Sequence, residues 1–248
     1  MTSTVLITGG SRGIGAATAL LAAKQGFAVA VNYASNSIAA ENLVQEIRAG
    51  GGQAIAVQAD VSQESEVVAM FAKVDASLGA ISALVNNAGV VDVAGRIESL
   101  SVARYRRMFD INVLGSMLCA REAVLRMSTK HGGSGGVIVN VSSVAALVGG
   151  GGQYVDYASA KGAIDTFTIG LSKEVVAEGI RVNAVRPGII DTEIHASGGE
   201  PDRVRLLAPT IPMQRPGTPL EIANAILWLL SPSSSYCTGT FINVTGGR

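Results

Sequence analysis

Histidine, cysteine and tryptophan are nearly missing from this chain of 248 residues, which holds two, two and one of them. With His131 and His195 the only histidines, both in stretches that read as loops, no Ser-His-Asp set and no histidine-built metal centre can be assembled. Cys119 and Cys237 stand far apart with neither CxxC nor ligand spacing, so each reads as a free thiol and no metal is expected. No uninterrupted apolar run reaches the roughly 18 residues of a membrane span. MTSTVLITGG lacks a basic segment ahead of a long apolar one, so no secretory leader is read. Excess charge is missing too: 19 Lys plus Arg balance 19 Asp plus Glu, leaving no net field to gather nucleic acid or acidic lipid. The expectation is a cytoplasmic protein with a small-molecule partner, working through groups other than histidine, thiol or metal.

Apolar residues make up 48% of the chain and charged ones 15%, enough for a well-buried core. Short runs rich in Val, Ile and Ala recur at 5–8, 29–33, 54–58, 82–86, 136–141, 180–185 and 240–244. Between them, segments 13–25, 37–49, 64–78, 98–127, 157–177 and 219–230 carry apolar residues at helical spacing. Strand–helix alternation with strands apolar on both faces predicts an α/β fold of Rossmann type, a doubly wound, seven-stranded parallel sheet with helices on both faces. No linker or repeat interrupts it, so residues 1–248 are expected to form a single domain. Residues 189–218 hold four prolines and an adjacent glycine pair without a clear pattern, and are read as a loop over the substrate.

The first strand runs into TGGSRGIG, residues 8–15, and a helix follows. Gly9, Gly13 and Gly15 fall where a chain must turn tightly, approach a diphosphate without a Cβ, and pack the helix start on the sheet. The helix N-terminus then faces the anion. The second strand ends in Asn32, Tyr33, Ala34, Ser35 and Asn36, with no carboxylate to hold a ribose 2′-hydroxyl. Arg12 offers a cation for a 2′-phosphate, its alternative being a solvated surface charge, and NADP(H) is expected over NAD(H).

YVDYASAK, residues 154–161, poses a choice between two tyrosines. On a helix Tyr157 and Lys161 lie at i and i+4, about 6 Å apart along the axis, whereas Tyr154 is about 10 Å from the lysine. Only Tyr157 can use it. A neighbouring ammonium favours the phenolate, which makes a phenol useful in acid–base work. GVIVNVSS, residues 136–143, is a buried strand ending in two hydroxyls at the carboxyl edge of the sheet, where open α/β sheets bind ligands. The choice between Ser142 and Ser143 stays open, with Ser143 preferred.

With the glycine turn, the strand-end serine and the Tyr-Lys pair on one chain, the sequence resembles the short-chain dehydrogenase/reductase family over essentially its whole length. It is similar to bacterial NADP-dependent members of the sugar (glucose-type) dehydrogenase and uncharacterised oxidoreductase kinds. The resemblance implies cofactor contacts at Gly9, Ser11, Arg12, Gly13, Ile14 and Gly15, at Asn32, and at Asp60 and Val61 of ADVS. It adds Asn87, Ala88 and Gly89 of NNAG, the Tyr157–Lys161 pair, and Pro187, Gly188, Ile190 and Thr192 of PGIIDT. It implies a catalytic set of Asn112, Ser143, Tyr157 and Lys161: Tyr157 the acid or base, Ser143 positioning the substrate oxygen, Lys161 lowering the tyrosine pKa and holding the nicotinamide ribose, Asn112 supporting a water relay. The implied activity is hydride transfer between NADP(H) and a carbonyl or secondary alcohol, and the implied assembly a homotetramer. Two alternatives remain, a 3-oxoacyl-[acyl-carrier-protein] reductase and a non-catalytic NADP-sensing module. Glu178 stands where a base would help an acidic carrier dock, although Arg181, Lys130 or Arg126 offers a substitute.

Overall fold

The computed structural model describes residues 3–248, His195 and Ser197 by backbone alone. Its elements in chain order are β1 Thr4–Ile7, α1 Gly13–Lys24, β2 Ala28–Tyr33, α2 Ser37–Ala49, β3 Ala54–Gln58, α3 Glu64–Leu78 and β4 Ile81–Asn86. There follow α4 Val102–Phe109, α5 Gly115–Met127, β5 Gly136–Val141, α6 Ala145–Val148 and α7 Val155–Val175. The chain ends with β6 Ile180–Pro187, α8 Ile194–Ser197, α9 Arg203–Leu207, α10 Pro219–Leu230 and β7 Phe241–Val244. All seven expected strands join one sheet in the order β3-β2-β1-β4-β5-β6-β7, and every pairing is parallel. The order reverses between β1 and β4, which opens a crevice at the carboxyl ends of those strands.

Alternation along each strand divides the core in two. Val5, Ile7, Val29, Val31, Val139 and Val185 face the layer of α1, α2 and α10. Leu6, Ala30, Leu84, Ile138 and Val182 face the layer of α3, α5 and α7. Both faces are dry, so the strands read as apolar runs rather than alternating ones. Truncating a residue as central as Leu6, fully buried, costs about 2–5 kcal/mol.

Two expected elements differ. Segment 98–127 is not one helix: a 3-10 turn at Ile97–Ser99 precedes α4, and a π-helical turn at Asp110–Leu114 separates α4 from α5. Residues 189–218 contain the short helices α8 and α9 rather than plain loop. Among the described residues no helix is long and apolar enough to cross a membrane, and no cluster of possible metal ligands occurs.

Candidate active site

Between β1 and α1 the glycine turn is tied to the end of β4. Thr8 Oγ1 accepts from the N–H groups of Asn87 (3.0 Å) and Ala88 (2.9 Å), while Asn87 Nδ2 donates to the carbonyls of Thr8 (2.9 Å) and Gly9 (3.0 Å). Gly9 is left-handed at φ +58°, where a Cβ would lie 2.9 Å from Ala88 Cα. A Cβ on Gly15 would lie 2.4 Å from the Gly9 carbonyl oxygen, so the turn closes only around glycine. No side chain caps α1, whereas Asn36 caps α2 and Thr218 with Glu221 caps α10. The first N–H groups of α1 therefore face the crevice as a ready anion site. A glycine cradle and an uncapped helix start fit the diphosphate of a dinucleotide.

The adjoining cleft is walled by Ser11, Arg12, Gly13, Tyr33 to Asn36, Asp60 and Val61. Asp60 Oδ1 accepts from both the N–H (2.9 Å) and the hydroxyl (2.8 Å) of Ser62, which fixes its carboxylate. Asn32 lines the cleft, yet its amide is already engaged: Oδ1 accepts from Gly9 N (3.1 Å), and Nδ2 donates to the carbonyls of Val57 (3.3 Å) and Ala59 (3.0 Å). Asn32 thus ties the glycine turn to the end of β3 as well as lining the cleft. Ile14, Asn87, Gly89 and Thr192 line this half and the next, Ala88 the first alone, and Pro187, Gly188 and Ile190 the second alone. Gly15 lines neither half and acts through packing.

In the second half the end of β5 meets α7. Tyr157, Lys161, Ser142 and Ser143 line it together. Lys161 is buried, its Nζ donates to the Val141 carbonyl at 2.8 Å, and it lies 5.7 Å from the centroid of the Tyr157 ring. Burial draws its pKa down to about 8, with the Asp165 carboxylate opposing. Burial pushes the Tyr157 phenol up, and the Ser143 hydroxyl beside it works the other way. Burial is thus the larger influence on this phenol, and Ser143 is the group that works against it. Ser142 Oγ instead donates to Asp165 Oδ1 at 2.6 Å, which leaves Ser143 as the serine beside the phenol.

Asn112 is wholly buried in the π-helical turn. Its Oδ1 accepts from Val90 N (3.1 Å), and Nδ2 donates to the carbonyls of Val90 (3.0 Å) and Met108 (2.9 Å). A methyl group at Gly89 would come 2.8 Å from Asn112 Oδ1 and 3.5 Å from Lys161 Nζ, so these two groups converge on Gly89.

Tyr154 enters the same pocket with different partners. Arg203 stacks on its ring at 4.6 Å, and Arg203 also donates to Gln153 Oε1 (2.9 Å) and Glu200 Oε2 (2.9 Å). Glu200 Oε1 accepts from Ala94 N at 3.1 Å. Burial, with Glu200 adjoining, holds the Tyr154 phenol far above the usual tyrosine range. Gly198 and Gly199 let the chain approach closely: a Cβ there would lie 2.8 and 2.7 Å from side-chain carbons of Val91 and Val93. Sequence reasoning missed this clasp of Gln153, Tyr154, Glu200 and Arg203; its one local signal is the Gly-Gly-Glu of residues 198–200. The side chain of His195 lies outside the described residues.

The chain is similar to known proteins over nearly its whole length. A family model described as enoyl-(acyl carrier protein) reductase matches residues 9–248. The chain is 57% identical over 243 residues to the uncharacterised oxidoreductase YgfF of Escherichia coli K12, covering 98% of each. It is 39% identical to a 3-oxoacyl-[acyl-carrier-protein] reductase of Synechocystis, over 98% of this chain and 95% of that one. Likewise it is 37% identical to a 3beta-hydroxysteroid dehydrogenase of Eggerthella lenta, over 98% and 92%. A crystal structure of a short-chain type dehydrogenase/reductase from Mycobacterium marinum superposes with a TM-score of 0.92 at 35% identity, covering 99% of this chain and 94% of that one. The chain is an oxidoreductase that belongs to the short-chain dehydrogenase/reductase family.

Proposed function

We propose that the chain reduces a ketone, or in reverse oxidises a secondary alcohol, with NADP(H) and with Tyr157 as the general acid or base. The observation that carries this reading is the meeting of Ser143, Tyr157 and Lys161 in one pocket beside the glycine cradle. Bound NADPH supplies the hydride. A phenol held up by burial stays protonated at neutral pH, so Tyr157 is a proton donor suited to the oxygen that gains charge during reduction. Ser143 orients that oxygen, and the Lys161 ammonium favours the phenolate left behind. Asn112, fixed through Val90, braces the Gly89 wall beside Lys161.

Preference for NADP(H) is supported by a second strand that ends without a carboxylate and by exposed Arg12 on the cleft wall. Replacing Arg12 by Ala is expected to weaken NADPH binding roughly ten- to hundredfold, the worth of a charge-assisted hydrogen bond, with NADH affinity nearly unchanged. Fluorescence titration of both cofactors checks this; equal losses, or a wild-type preference for NADH, count against it.

The substrate wall favours a compact, largely apolar carbonyl compound. Val91, Val144, Ala145, Val148 and Ile189 line it, and polar groups gather on one side at Gln153, Tyr154 and Arg203. An aldose would leave several hydroxyls without partners against such a wall. For an acyl-carrier-protein reductase, two of the three basic residues offered by the sequence are occupied: Arg126 by Asp75 and Glu122, and Arg181 by the carbonyls of Leu229 and Cys237, while Lys130 is exposed 3.9 Å from Glu178. Arg181 also stands second in β6 while the site lies at the strand's other end, about 20 Å away at 3.3 Å per residue. Turnover of acyl-carrier-protein thioesters in preference to free ketones would overturn this choice. A homotetramer is supported by exposed Phe109, Leu114, Met117 and Ile169 on α4, the π-helical turn, α5 and α7; light scattering that returns a monomer mass contradicts it.

A further inference from the structure

The end of β5 grips one stripe of α7 at three successive residues. Val141 accepts from Lys161, Ser142 donates to Asp165, and Ser143 stands beside Tyr157. Tyr157, Lys161 and Asp165 lie at i, i+4 and i+8, one above the other on the helix. The first two have roles in the proposed reaction, and Asp165 has none. Its carboxylate is nonetheless buried and fully engaged: Oδ1 accepts from Ser142 Oγ at 2.6 Å, and Oδ2 from Arg186 Nε at 2.9 Å. Arg186 in turn lies 4.0 Å over the ring of Phe241 in β7, so the chain of contacts runs from the sheet edge to the helix turn that carries Lys161.

We propose that Asp165 is a positioning residue for this reaction: through Ser142 it fixes the Lys161 turn on the end of β5, and it supplies the carboxylate that balances the buried ammonium. The proposal rests on the reading of Tyr157 as the acid and Lys161 as its support. Around Lys161 the titratable groups are Tyr157 and Asp165 of its own helix, with Arg186 of β6 behind Asp165. β5 presents the neutral Val141 carbonyl and two serine hydroxyls, and the π-helical turn presents neutral Asn112, its Asp110 being exposed. Asp165 is thus the negative charge that works against the desolvation of Lys161. Arg186 pairs with the same carboxylate from the other side at 2.9 Å, so neither of the two opposite charges lacks a partner.

The test is the pH dependence of kcat/KM, which reports ionisations of the free enzyme. Because Asp165 holds the Lys161 value up, removing its charge lowers that value, and the alkaline limb of reduction moves to lower pH. In Asp165→Asn the limb, near pH 8 in the wild type, is expected about one unit lower. That shift makes the loss about fivefold at pH 8 and less than twofold at pH 6. Asp165→Glu, which keeps the charge, is expected to restore the wild-type limb. If the unpaired Arg186 unfolds the single variant, Asp165→Asn with Arg186→Gln removes both charges and is expected to shift the limb in the same direction by a smaller amount. A limb that does not move, or a loss equal at all pH values, would show a purely structural ion pair and overturn the proposal. Tyr157→Phe assayed alongside separates the two failures: its retained activity would remove the underlying reading, whereas its loss with an unmoved limb removes only the role of Asp165.

Discussion

Tyr157→Phe is expected to lower kcat roughly 10²–10⁴-fold, the usual worth of a positioned general acid, while leaving the dissociation constant for NADPH within about threefold. The substitution removes one oxygen and keeps the ring, so the packing against Met108, Val113 and Ala160 should survive. Tyr154→Phe is the matched control. Its hydroxyl adjoins Glu200 rather than Ser143, and its ring is held by Arg203, so the loss should fall on KM for the carbonyl substrate and leave kcat within about tenfold. Steady-state kinetics of both variants at one pH decide the matter. An active Tyr157→Phe beside a dead Tyr154→Phe would assign the chemistry to the wrong tyrosine in this account.

Asp156→Ala is expected to be the most destabilising single change near the site, by about 3–5 kcal/mol. Arg104 reaches Asp156 with both Nε (2.7 Å) and Nη2 (3.1 Å), and the two side chains are 12% and 0% exposed. Removing the carboxylate leaves the half-buried Arg104 guanidinium with only the Val93 carbonyl at the junction of α4 with the first turn of α7, one residue before Tyr157. At 2–4 °C per kcal/mol for a chain of this size, calorimetry should record a drop of roughly 6–20 °C. Asp92→Ala, which breaks the exposed pair with Arg107, should cost less than about 1 kcal/mol. A melting point for Asp156→Ala within a degree of wild type would contradict the burial argument.

What could be read from the sequence was local. The strands are legible because both faces of the sheet are covered, so GVIVNV and IRVNAV are nearly unbroken apolar runs. Tyr157 and Lys161 declare themselves by helical spacing alone. The π-helical turn does not, because two of the bonds that hold the Asn112 amide go to Val90, twenty-two residues away, and no local pattern marks them. The clasp over the pocket is hidden for the same reason: Glu200 is fixed by Ala94 and Arg203 by Gln153, partners that only the fold brings near. The serine question, too, is answered by partners that the sequence does not mark. Ser142 is taken up by Asp165, twenty-three residues on, which leaves Ser143 as the serine beside Tyr157.

Direct hydride transfer at this site is the central claim, and isotopic labelling tests it most directly. Purified protein would be given NADPH deuterated at either face of nicotinamide C4, with a panel of small ketones, diketones and acyl thioesters, and the product alcohol analysed by mass spectrometry. One of the two labelled cofactors is expected to deliver a single deuterium to the carbinol carbon, with none delivered when Tyr157→Phe replaces the wild type. Tight NADPH binding without label transfer to any carbonyl would contradict the account and favour a protein that senses the cofactor instead of using it.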